Sequence, residues 1–265
     1  MASGGYLGGA ALYAGAMNLR GGKPIEGRVI GIAMAAATLI QYPIQNYTNS
    51  PYIRLASITI CMLCLLKTLL PLPCAAVHGA LPGATGKKAS GRLAAAVIMA
   101  AFLSFYYGVG DGILIKLHTE GRISVVTWPR LLYVGSILLA GWIADMKNER
   151  YLTGITVIMA ALITLYPLFL HDGGSPLAFH IIFWSFSGFY VIFLSVIFMR
   201  LSVKSSFPEL WAGMGRSVKQ FVNCISVIPT AILLETSGTH WIIYCNTAVV
   251  LAMVIFSFRI QANGQ

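Results

Sequence analysis

Acidic residues are scarce in this chain. Only 8 of 265 positions are Asp or Glu, and all charged residues together make up 10%, whereas soluble domains carry about 25%. That deficit excludes a water-facing globular surface, and it equally excludes disorder, which needs high charge and low hydrophobicity. Cysteine is sparse and odd in number: Cys61, Cys64, Cys74, Cys224 and Cys245. Four of the five lie in apolar runs, so no disulfide scaffold follows. The Cys61-x-x-Cys64 pair is embedded in ITICMLCLLK, with no second pair to complete a zinc site and no βαβ setting for redox chemistry. It reads as small packing residues. The five histidines, His78, His118, His171, His180 and His240, are scattered without metal-ligand spacing. No clustered nucleophile, acid–base pair or metal set points to an enzyme, and no cofactor is expected.

What is present is apolar sequence. Hydrophobic residues make up 57% of the chain and mean hydropathy is +0.78. About 20 apolar residues at about 1.5 Å rise span a hydrocarbon core of about 30 Å. Eight such stretches run from Arg28 to Tyr47, Pro51 to Pro71, Leu93 to Ile115, Val126 to Asp145, Tyr151 to Leu170, Pro176 to Arg200, Gly215 to Leu234 and Trp241 to Phe258. A ninth, Tyr6 to Met17, is shorter and rich in small residues suited to close helix packing. Met1-Ala-Ser has no basic n-region, so a signal peptide is not expected. The expectation is an all-α integral membrane protein with about nine transmembrane helices, its main partner the lipid bilayer.

The net charge of +10 would raise nucleic-acid binding in a soluble chain; here topology explains it, and no nucleic-acid partner is expected. One set of alternate loops and ends holds thirteen of the 18 basic residues, among them Arg28, Lys87, Lys88, Lys147, Arg150, Arg200, Arg216 and Lys219. The opposite set holds Arg54, Lys116, Arg122 and Arg130. By the positive-inside rule the first set faces the cytoplasm. The protein is thus expected in the cell (inner) membrane as a multi-pass chain, N-terminus outside and C-terminus cytoplasmic. The longest polar connection divides it into a partial N-terminal bundle at residues 1–72, a cytoplasmic linker at 73–92 and a six-helix bundle at 93–265.

Two features are more specific than hydropathy. Gly141-Trp-Ile-Ala-Asp145-Met-Lys147-Asn-Glu149-Arg150 resembles the major facilitator superfamily loop signature G-x-x-x-D-[RK]-x-G-R-[RK]. Gly141, Asp145 and Arg150 match in register, and Met146, Asn148 and Glu149 depart from it. Glu26-Gly27-Arg28 and Met214-Gly215-Arg216 open two spans in the same style, as two pseudo-repeated halves would give. In that superfamily such pairs open the fifth and eleventh helices. The linker then falls between the sixth and seventh, and the Asp145 signature between the eighth and ninth. The chain therefore resembles helices four to twelve of the twelve-helix fold, an incomplete bundle. In the family the substrate path is lined by helices one, two, four, five, seven, eight, ten and eleven.

That resemblance implies a secondary transporter, truncated or degenerate, moving a small solute, with proton coupling as one mode. The alternative is a membrane-embedded sensor or regulator derived from the same fold, without transport. Asp111 is the acid set deepest in an apolar run, which makes it the candidate for proton or cation coupling. Its position near the end of its span leaves open satisfaction by water or Lys116. Gly108, Gly110 and Gly112 around it read as a local break or gate. Gln41, Tyr106, Tyr107, Trp184, Ser187, Gln220 and Asn223 are candidates to line a cavity, with ordinary interhelical hydrogen bonds as the alternative. The resemblance implies a cytoplasmic latch from Gly141, Asp145, Lys147 and Arg150, in which the Asp meets basic residues and a helix N-terminus of the opposite layer in one gating state. Arg216 is the proposed partner.

Overall fold

A computed structural model describes residues 26–47, 50–53, 55–56, 59–60, 63, 87–124, 127–146, 150–164, 175–202, 208–236 and 238–262. The described residues are helical or irregular, with no strand among them. Seven helices have defined bounds: α1 Glu26–Tyr47, α2 Lys87–Thr119, α3 Pro129–Ala144, α4 Arg150–Thr164, α5 Pro176–Ser202, α6 Pro208–Thr236 and α7 Gly238–Ala262. Part of a further helix is described between Pro51 and Leu63. Three helices are long and apolar enough to cross a membrane, at Glu26–Ile44, Gly91–Thr119 and Pro176–Ser202. They mark the chain as a membrane protein, and helices are the form expected there, since hydrocarbon offers backbone N–H and C=O groups no other partner. The Tyr6 to Met17 stretch and most of the linker lie outside the described residues. Where the linker ends, helix has already begun: α2 starts at Lys87 rather than after residue 92.

Burial follows helix position. α3 starts with Pro129 in its first turn, where a missing N–H costs nothing. Its Val134, Ile137, Gly141 and Ala144 are buried, three or four residues apart and so on one face. Leu131, Leu138, Leu139 and Trp142 point outward. α5 is different: every residue from Ser187 to Met199 is buried, because α1, α2, α3, α4 and α6 surround it. It is the axis of the bundle. On the periphery, Ile32 and Ile40 of α1 and Leu251, Ile255 and Phe258 of α7 are each 60% exposed or more. Apolar exposure on that scale is stable against lipid rather than water. Hydroxyl side chains turn back onto their own helix: Thr156 Oγ1 donates to Leu152 O at 2.7 Å and Ser187 Oγ to Phe183 O at 2.6 Å. Each is thereby satisfied without water.

Glycine sets the closest crossings. Gly27 and Gly31 of α1 face Gly141 of α3 so closely that a Cβ on Gly27 or Gly141 meets the backbone of the other helix. Small residues at four-residue spacing allow that approach. The glycines of α2 serve the same end. Gly108 abuts Ser226 and Gly112 abuts Thr230, both on α6, while Gly110 abuts Phe183 of α5. This corrects the expectation of a break: α2 is one continuous helix through all three, and the missing side chains admit neighbouring helices.

Candidate functional site

A cavity of about 350 Å³ lies between α1, α2, α3, α5 and α6. Its aromatic wall is built from contiguous rings. Tyr107 stacks on Tyr190 with centroids 4.2 Å apart and planes 8° from parallel, the Tyr107 ring also meets Phe183 at 5.5 Å, and Tyr133 meets Trp184 edge-on at 5.5 Å. Hydrogen bonds fix two of these rings: the Tyr190 hydroxyl donates to Ser104 Oγ at 3.1 Å and that of Tyr107 to Phe186 O at 3.3 Å. Their positions follow from local spacing, since Phe183, Trp184, Ser187 and Tyr190 are one helical face of α5.

Three charges face this cavity: Asp111 of α2, Arg130 of α3 and Lys219 of α6. The Arg130 guanidinium lies over the Trp184 ring, 5.6 Å from its centroid, and the Lys219 ammonium over the Tyr190 ring at 5.3 Å. Both distances fall within the range at which a ring face attracts a cation. Asp111 and Lys219 act on one another electrostatically, yet no direct ion pair joins them. A third cation stands beside the lining: Arg216 Nη2 approaches the sulfur of Met34 at 3.3 Å.

At the N-terminal end of α1 a second polar group closes the bundle. The Asp145 carboxylate, with no solvent exposure, accepts hydrogen bonds from the backbone N–H groups of Gly27 at 2.8 Å and Arg28 at 2.9 Å. Those N–H groups have no partner within α1, and the helix dipole favours an anion there. Arg200 of α5 completes the cluster. Its guanidinium donates to Asp145 Oδ1 at 3.0 Å, to Ala144 O at 2.7 Å and to Glu26 Oε2 at 3.4 Å. The Arg28 side chain adds a looser contact, Nε to Oδ2 at 3.6 Å, and is half exposed. Three helix ends, those of α1, α3 and α5, are thus tied through one buried carboxylate and one nearly buried guanidinium. From Gly27 to Met34, the first cavity residue of α1, is about 10 Å of helix.

The sequence expectations divide on this geometry. Gln41, Tyr107, Asp111, Trp184 and Ser187 line the cavity. Tyr106 does not: it is buried behind Tyr107, ring edge to face at 5.6 Å. Gln220 is exposed, and Asn223 lies beside Gly108 at the α2–α6 contact, so neither amide belongs to the lining. Gly141 packs against α1, and Asp145 meets a helix N-terminus, but its cationic partners are Arg200 and Arg28. Arg216 is spent on the cavity side, by Met34, because it lies about two turns inside α6. Lys147 and the Arg150 side chain lie outside the described residues. Sequence reasoning also missed Arg130 and Lys219, counting both as loop cations. The signal was there for Lys219, the fifth residue of an apolar stretch beginning at Gly215. Glu26 and Arg200 were missed as well; their pairing across 174 residues leaves no local trace.

No protein family, curated protein or solved structure matches the chain.

Proposed function

We propose that this chain is a secondary transporter of the major facilitator type, with α1 as the fifth helix, α2 to α7 as the seventh to twelfth, Asp111 as the coupling residue and the Asp145 cluster as the cytoplasmic latch. The observation that carries this reading is which helices line the cavity. They are α1, α2, α3, α5 and α6, and in the resemblance these are helices five, seven, eight, ten and eleven, all members of the substrate path. α4 and α7, which correspond to helices nine and twelve, both outside the path, contribute no described lining residue. A charged cavity between the helices and a polar seal at one end are two parts that alternating access uses. In this layout the latch is shut, the membrane is crossed many times and the basic ends face the cytoplasm.

Asp111 suits coupling because a carboxylate within a bundle is costly to leave charged and unpartnered. It accepts no hydrogen bond from the described residues, and its charge is offset only at a distance by Lys219. Protonation of Asp111 removes that cost, so its proton occupancy follows the charge state of whatever shares the cavity.

Alternating access can be tested without knowing the solute. In a cysteine-free background, Val191→Cys places one thiol on the cavity wall. An impermeant thiol reagent is then applied to right-side-out and inverted vesicles. Labelling from both sides is expected, with the cytoplasmic rate raised by Asp145→Asn. Labelling from one side alone in every variant would refute transport and favour the sensor reading.

A further inference from the structure

We infer that the cavity is a site for a small organic anion, a carboxylate with a flat or apolar body, held by Arg130 and Lys219 against the aromatic wall. The inference rests on the reading of this cavity as a ligand site and goes on to name the ligand's chemistry. The described lining carries two cations and one carboxylate, and Arg216 adds positive charge beside Tyr133 and Lys219. Cations held inside a bundle are favourable only when an anion, or water, offsets them. Asp111 does not fill that role directly for Lys219: the two act on one another only at a distance, with no hydrogen bond or ion pair between them. Lys219 is the clearest case. Its ammonium has three donors and no hydrogen-bond acceptor among the described residues, yet it is held in place over Tyr190.

Arg130 supplies what Lys219 lacks. A guanidinium is a planar fork matched to the two oxygens of a carboxylate, and Arg130 lines the cavity with its guanidinium over the Trp184 ring. Tyr107, Phe183 and Trp184 then line the space left for the rest of the ligand. The volume is at the small end of the roughly 300 to 1,000 Å³ usual for ligand pockets, so the site takes a ligand of one ring or a short chain. A cationic ligand is the opposite prediction, with Asp111 and the rings as its cage. Charge decides between them: among the described residues an added cation meets Lys219, Arg130 and the nearby Arg216, against one lining carboxylate.

The test uses purified full-length protein and three probe acids, benzoate, phenylacetate and hexanoate. Each is compared with its neutral amide and its corresponding amine for binding at equilibrium and for thermal stabilisation. At least one acid is expected to bind while its amide and amine do not. Lys219→Gln or Arg130→Gln should weaken that binding about ten- to a hundredfold, the effect of one charge-assisted contact. Arg130→Lys, which keeps the charge and loses the fork, should fall between, and it serves if the glutamine variant does not fold. Tighter binding of an amine, equal binding of an amide, binding of none of the acids, or acid binding indifferent to all three substitutions would each overturn the inference. Transport fails separately: acid binding in a protein labelled from one side only refutes the transporter and leaves the anion site standing.

Discussion

Asparagine at position 145 removes one charge and little volume, so its effect isolates the electrostatics of the end cluster. The native carboxylate uses both oxygens: Oδ1 takes the Gly27 N–H and Arg200, and Oδ2 takes the Arg28 N–H. An amide has one acceptor oxygen. If it keeps the Oδ1 contacts, its NH₂ group points at the Arg28 N–H and that donor loses its partner. If it keeps Oδ2, the NH₂ group faces both Gly27 N–H and the guanidinium. Hydrogen bonds to a charged group contribute about 1.5–3 kcal/mol each, and stranding a buried donor costs about 1–3 kcal/mol more. The sum matches the roughly 3–5 kcal/mol measured when one partner of a buried ion pair is removed, because Asp145 has no exposure and the Arg200 side chain is only 10% exposed. The assay is a double-mutant cycle on unfolding in detergent, combining Asp145→Asn with Arg200→Gln. The single substitution should cost about 3–5 kcal/mol, and the coupling should be about 1.5–3 kcal/mol, since both changes delete the same contacts. A parallel cycle with Arg216→Gln should show coupling near zero. A loss below about 1 kcal/mol for Asp145→Asn, or stronger coupling to Arg216 than to Arg200, would refute the reasoning, because no buried charge pair in direct contact behaves so.

Two glycines of α3 should respond with opposite signs. Gly141→Ala drives a Cβ into the Gly27 carbonyl and the Gly31 backbone, and should cost about 1–3 kcal/mol as overpacking does; Gly135→Ala meets nothing and should raise stability by about 0.5–1 kcal/mol, so equal melting temperatures would contradict the α1–α3 crossing. Tyr190→Phe removes the bond to fully buried Ser104 while keeping the ring stack, and is expected to lower unfolding free energy by about 1–2 kcal/mol; Ser104→Ala in addition should cost little more. Asp111→Asn should abolish proton flux coupled to solute movement in vesicles while leaving helix content unchanged by circular dichroism. Coupled flux that persists in this variant removes Asp111 from the coupling role.

Much of the fold was legible because burial in hydrocarbon leaves a strong trace: every helix with defined bounds overlaps an apolar stretch that can be marked by eye. The Gly141 to Asp145 spacing likewise singled out the residue that meets the α1 N-terminus. Less legible was which face of a helix a polar residue occupies. Gln220 and Lys219 are adjacent, one exposed and the other in the cavity wall, and the 100° between neighbours on a helix decides this only once the neighbouring helix is placed. Gly27-x-x-x-Gly31 was a readable signal for a close crossing, passed over because glycine is common throughout the chain.

The sequence by itself determined that the chain is helical and belongs in a membrane, since scarce charge and long apolar runs permit no other way to satisfy the backbone. It also fixed where the cations are along the chain. Only the tertiary structure decided what they do. Lysine and arginine counts assign charges to membrane sides by loop, but a long side chain one turn inside a helix can turn inward as readily as outward. Packing of α6 on α5 turned Lys219 toward Tyr190, packing of α3 on α5 set Arg130 over Trp184, and docking of α1 on α3 brought Asp145 to a helix N-terminus 118 residues earlier in the chain. These are long-range choices between neighbours of similar hydrophobicity, and a pattern read one segment at a time holds no information about them.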